Sequence, residues 1–120
     1  SLPAAKAYSE LFLGHLDARA GRTDRAIRRW KWVAGEAERL HNARLGFSAE
    51  FYLYRTTRAA GLRALARASR QRLERLAPWV PAHHPLLKEF RSDRGTDAPP
   101  ARPPRRSARR RVEAGADAVG

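Results

Sequence analysis

Residues 92–120 are built almost wholly of Pro, Arg, Ala, Gly and Asp, with Val112 and Val119 as their only large apolar side chains. Such a stretch cannot bury enough apolar surface to offset the entropy of ordering it. It predicts an extended tail and leaves about ninety residues able to fold. A domain of that size buries only about 60% of its unfolded surface. The sequence has no Cys, so neither a disulfide nor a thiolate metal site can reinforce it. Helix packing and partners must supply the stability.

Three helices are predicted before the tail. The first covers 3–20, with Pro3 in the first turn, where a missing N–H costs nothing, and Gly21 as a left-handed cap. Ser9, Phe12, Leu13, Leu16 and Ala20 recur on it at helical spacing and predict its buried stripe. The second opens at Thr23 and Asp24, as N-cap and first-turn acid, and runs to 45 with Gly46 as its cap. Its buried face is Ala26, Trp30, Val33, Ala37 and Leu40, which turns Trp32 toward the surface. Ser48 caps a third helix over 49–77, closed by Pro78, with a stripe of Ala59, Leu62, Ala66, Ser69, Leu73 and Leu76. The Pro-punctuated segment 78–91 carries Trp79, Val80, Leu86, Leu87 and Phe90 and is expected to form a strap over the helices. The fold class is therefore all-α, a three-helix bundle over 1–77 with a C-terminal strap and, over 92–120, an extended basic tail.

Charge narrows the function. Lys plus Arg number 25 against 12 acidic residues, a formal +13. Residues 1–91 hold 18 basic and 8 acidic side chains, so +10 of that belongs to the foldable part. All the basic residues but Lys6, Lys31 and Lys88 are Arg. Guanidinium forks onto phosphate and stacks on bases, whereas ammonium acts as a point charge. Arg63, Arg67 and Arg70 stand four and three apart and form one predicted ridge, and Arg25, Arg28 and Arg29 cluster on the second helix. In the tail, Arg102, Arg105, Arg106, Arg109, Arg110 and Arg111 fall within ten residues that contain no acid. Arg-rich extended segments order on RNA, so these twelve are the candidate RNA-binding residues.

No Gly-rich phosphate loop, activated nucleophile or partnered carboxylate pair is present, and a domain this small lacks room for the usual pocket. Catalysis, a small-molecule substrate and a cofactor are not expected. His83 and His84 lie between prolines without further ligands at metal spacing, and His15 and His41 stand alone. No stretch nears the roughly 20 apolar residues of a spanning helix. The chain begins at Ser1 rather than Met, which fits removal of a presequence and import into an organelle, with the mitochondrion preferred over another organelle or the cytoplasm.

Two family resemblances are carried by short motifs. Leu13, Gly14, Gly21, Ala26 and Trp30 stand at the spacings of a tetratricopeptide-type hairpin over 8–33. That similarity implies two close antiparallel helices, with Gly14 and Ala26 permitting the approach and Trp30 filling the groove. Asp17 occupies a place that is usually aromatic in that repeat, no proline ends the unit near Arg39, and a second copy is not expected. Leu53-Tyr54-Arg55 resembles the signature of small mitochondrial helical proteins that assist iron–sulfur assembly or serve respiratory complexes, often with an acyl carrier protein. The expected function is that of a structural subunit contacting RNA, ribosomal RNA above all, and neighbouring protein subunits in a ribonucleoprotein such as an organellar ribosome. The alternative is an accessory subunit of a respiratory or other membrane complex.

Overall fold

The structure, a computed structural model, describes residues 2–93. The tail arginines 102–111 lie outside the described residues. The described chain is all-α: α1 (Leu2–Arg19), α2 (Thr23–Arg39), α3 (Ala43–Ala59), α4 (Arg63–Leu76) and α5 (Pro85–Asp93), with a single 3-10 turn at Ala77–Trp79. By their contacts the described residues divide into a first unit that ends at Lys88 and a second that begins at Glu89. Helices α1 to α4 and the 3-10 turn belong to the first unit.

Three turns of one design set the architecture. Gly21, His41 and Gly61, twenty residues apart, all have positive φ, at 82°, 55° and 77°. After each, an amide reaches back five residues: Arg22 to the Asp17 carbonyl (2.8 Å), Asn42 to Ala37 (2.8 Å) and Leu62 to Thr57 (2.9 Å). A second bond runs from each positive-φ residue to the carbonyl three before it, at 3.1 Å in all three turns. This is the Schellman closure, which satisfies carbonyls that a helix end would leave unpaired. Each short turn folds a helix back on its predecessor, and α1 to α4 each pack chiefly on their sequence neighbours.

These turns revise the predicted boundaries. The second helix stops at Arg39 rather than at 45, because His41 takes the left-handed cap and Asn42 starts a new helix, its side chain accepting the Leu45 N–H at 3.0 Å. Gly46 is not a cap. It lies inside α3, where a Cβ would sit 3.4 Å from the Ala37 Cβ, so its value is close packing. Ser48 is also mid-helix and donates to the Arg44 carbonyl at 3.2 Å. The predicted helix over 49–77 is cut at Gly61 into α3 and α4. Arg22, not Thr23, is the N-cap of α2, and it makes no side-chain capping bond.

Four of the five residues predicted for the buried face of α2, Ala26, Trp30, Val33 and Ala37, are at or below 2% exposure, whereas Leu40 is the C-cap and only half-buried. Trp32, at 41%, faces outward. The phase of α1 is different from the predicted one. Its buried residues are Ala7, Gly14 and Asp17, whereas Phe12, Leu13 and Leu16 are exposed. Small side chains line the seam because the helices approach closely there: a Cβ on Gly14 would fall 2.3 Å from Trp30 Nε1. That indole instead donates to the Leu11 carbonyl at 3.0 Å. Of the stripe predicted over 49–77, Ala66, Ser69 and Leu73 are buried on α4 and Leu76 is half-buried, but Ala59 and Leu62, which precede α4, are exposed.

The hairpin α1–α2 recurs as α3–α4 forty residues later. Glu10, Leu13, Ala20, Gly21 and Ala26 return as Glu50, Leu53, Ala60, Gly61 and Ala66. Too few positions are identical for the second copy to be evident in the sequence; the shared turn geometry exposes it. After α4, Val80 and Leu87 are buried, and His84 packs edge-on to Phe47 with ring centroids 6.1 Å apart.

Candidate functional site

Four of the predicted arginines remain available. Arg25 and Arg28 are exposed one turn apart on α2, and Arg63 and Arg67 one turn apart on α4. None of the four has a carboxylate partner among the described residues. Trp32 follows Arg28 on α2 by four residues, so the two share a face, and the Lys6 ammonium lies 5.5 Å from its ring centroid. A partly exposed indole beside Arg28 offers stacking beside phosphate contact.

The other two helical candidates are committed elsewhere. Arg29 donates to both Asp17 (2.7 Å) and Glu10 (2.7 Å), tying α2 to α1. Asp17 also accepts from Arg22 Nε at 3.1 Å. The Arg29 hydrogen bond, reinforced by Arg22, holds the Asp17 carboxyl below its usual range. Because the folded-state value is depressed, this contribution is present at neutral pH and lost as pH falls through it. Arg29 is correspondingly raised. Arg70 pairs with Glu74 at 3.3 Å and donates to the Tyr54 hydroxyl at 3.3 Å, which also accepts from Arg58 at 2.9 Å. The predicted ridge thus keeps Arg63 and Arg67 and loses Arg70 to the α3–α4 seam.

Two features escaped the sequence reading. One is a groove of about 480 Å3 where the end of α2, the start of α3 and the end of α4 converge. Ala34, Ala37, Ala43, Gly46 and Leu76 give it a smooth apolar lining, and Trp79, 76% exposed, stands at it. Glu50 lines it too, although the residue is only 4% exposed. Its Oε2 accepts from Arg72 Nε at 2.7 Å, while the buried Oε1 has no hydrogen-bond partner. Arg75, also lining the groove, is exposed and has no partner among the described residues. Glu50, Arg72 and Trp79 are too far apart in sequence for any spacing rule to group them.

The other is the outer face of α1, where Tyr8, Phe12 and Leu16 stand at intervals of four with Leu13 beside them, all at least 36% exposed. The forty-residue offset maps Leu13 onto Leu53, which is buried against Ala26 and Trp30. The α1 face therefore corresponds to one that α2 covers on α3.

The Leu-Tyr-Arg tripeptide is largely internal: Leu53 and Tyr54 are buried, and only Arg55 is exposed, its guanidinium carbon 5.6 Å from the Phe51 ring centroid. His15 packs against Tyr52 and Trp30, and burial, aided by Arg55, lowers its pKa. Burial, with help from Arg44 and His83, lowers that of His84. Among the described residues no three His or acidic side chains gather as a metal site, and no helix is long and apolar enough to cross a membrane. No protein-family model matches the chain, and neither a curated protein nor a solved structure resembles it significantly.

Proposed function

We propose that the protein is a non-catalytic, RNA-contacting structural subunit of a large ribonucleoprotein, with a mitochondrial ribosome as the preferred host. The observation that carries this reading is the set of exposed arginines without carboxylate partners, Arg25, Arg28, Arg63 and Arg67. A folded protein that needed its charges only for ion pairing would neutralise them with acids, as Asp17, Glu10 and Glu74 neutralise Arg29 and Arg70. Free guanidinium on rigid helices suits phosphate, whose neutralisation releases counterions and drives association. The six tail arginines, Arg102, Arg105, Arg106, Arg109, Arg110 and Arg111, would extend that contact along a strand.

The recurrence of the hairpin and of its turn supports a tetratricopeptide-like stack, closed by the segment 78–91 as a strap over the helices. Such stacks bury each hairpin against the next. The open apolar face of α1 then suits a helix of a neighbouring protein subunit, since it matches a face that α3 keeps covered.

The same face favours a second reading, an accessory subunit of a membrane complex, in which α1 meets an apolar neighbour and the arginines meet lipid headgroups. Release from the native particle separates the two. High salt or nuclease should free an RNA-bound subunit, and detergent alone should not. Release by detergent but not by nuclease would overturn the ribonucleoprotein reading.

A further inference from the structure

The groove beside Trp79 holds a polar group that the fold leaves unfinished. Glu50 is buried, one of its oxygens is bound to Arg72, and the other meets no donor. Buried polar atoms in folded proteins nearly always find a partner, and an unmet acceptor is costly. The unmet oxygen therefore calls for an N–H or O–H from outside the chain. Water could supply one, since the groove is roomy enough to hold it. Two further features ask for more than water: the Trp79 indole stands exposed at the groove, and Arg75 lines it without a partner.

The net charge of the chain decides between candidate donors. A Lys or Arg side chain of a peptide would satisfy Glu50 but would approach a surface carrying +10 over residues 1–91. An anionic molecule with a neutral donor edge avoids that repulsion. A nucleotide fits, with a flat ring for the indole, a phosphate for Arg75 and N–H groups for the carboxylate. Among the bases, guanine presents two adjacent donors, N1–H and the N2 amino group. Adenine and cytosine place a ring acceptor beside their amino group, where it would face the carboxylate. Uracil has one N–H between two carbonyls. A carboxylate offers about four lone-pair sites, so the Arg72 bond on Oε2 does not prevent a paired contact, which requires the Glu50 side chain, 6% exposed, to turn its buried Oε1 into the groove.

We infer that the groove between α2, α3 and α4 binds a single unstacked guanine base of single-stranded RNA, its donor edge on Glu50, its ring on Trp79 and its phosphate on Arg75. This deepens the RNA-contacting function proposed above and rests on it for the source of the base. The free arginines of α2 and α4 would supply affinity without sequence preference, and the groove would add the choice of base.

Fluorescence anisotropy with the full chain tests both layers. The probes are a labelled oligouridine and the same strand carrying one central guanine or one central adenine. The guanine strand should bind about tenfold more tightly than the other two. Trp79→Ala should lower its affinity about five- to tenfold, to the level of oligouridine, as loss of the base–aromatic stack implies, and leave oligouridine binding nearly unchanged. Glu50→Gln should erase the preference for guanine over adenine. Because that change also loosens Arg72, its folding is checked by circular dichroism, and Trp79→Ala, whose side chain is largely exposed, keeps the test independent of folding. Binding of all three strands with equal affinity would overturn the groove assignment, leaving it a water site, while sparing the RNA reading. Absence of RNA binding together with quenching of Trp79 by guanosine monophosphate would keep the groove and overturn the RNA reading. Binding of an Arg-rich peptide at Trp79 in preference to the guanine strand would overturn the inference in favour of a peptide groove.

Discussion

In the first hairpin Gly14 lets the Trp30 indole lie against α1, whereas forty residues later the second hairpin sets Tyr54 against Arg70. The positions correspond, Gly14 to Tyr54 and Trp30 to Arg70, but the bulk has changed sides. In the first seam the large group comes from α2 onto a bare backbone. In the second it comes from α3 and meets a guanidinium, with ring and cation 6.0 Å apart. Asp17, tied to Arg22 and Arg29, gives way to Thr57, whose hydroxyl donates to the Leu53 carbonyl at 2.7 Å. One backbone turn therefore tolerates an aromatic-on-glycine seam and a phenol–guanidinium seam. The turn fixes the hairpin, and the seam decides which arginines are left for other work.

Breaking the first seam should have the largest effect. Trp30→Ala is expected to cost about 3–5 kcal/mol as a large core truncation, against less than about 0.5 kcal/mol for Trp32→Ala on the surface, both read from urea melts. Gly14→Ala should cost about 1–3 kcal/mol, since a Cβ there overlaps the indole. Combining it with Trp30→Ala should abolish that cost, because the overlap disappears and Ala is the better helix former. Additive losses would show that the two residues do not share a seam. In the second seam, Tyr54→Phe removes an acceptor shared by Arg58 and Arg70 and should cost about 0.5–1.5 kcal/mol. Opposite in sign is His41→Gly. His41 is the one non-glycine of the three left-handed caps, at φ 55°, and relieving it should raise stability by about 1 kcal/mol, measurable as a rise in Tm.

The same contrast explains what the sequence made legible. The stripe of α2 could be read because Trp30 and Val33 mark a helical period with large apolar residues. The stripe of α1 misled because its buried face is Ala7, Gly14 and Asp17, while Phe12, Leu13 and Leu16 point outward. A period search weighs the large residues and finds the wrong side. The breaks at His41 and Gly61 were hidden by their surroundings: histidine is a far weaker signal of a left-handed cap than glycine, and Gly61 sits in an Ala-rich run without proline. Arg29 was grouped with the phosphate binders because its acids, Glu10 and Asp17, act only after the hairpin closes, whereas Glu74, four residues after Arg70, is legible on the helix as a partial counter-charge. Acids placed across a predicted turn were the available warning. The groove offered none, since it exists only where three helix ends meet.

The most direct test of the RNA reading is the salt dependence of RNA affinity for the full chain and for a variant in which Arg25, Arg28, Arg63 and Arg67 are all replaced by Gln. These four are exposed, so the variant should melt like the parent. If each contacts one phosphate of a single strand, the log–log salt slope should become shallower by roughly three, at about 0.7 per phosphate. Filter binding of a labelled oligonucleotide across a range of salt concentrations measures it. An unchanged slope and affinity would contradict the account, because the free arginines of α2 and α4 would then touch no nucleic acid.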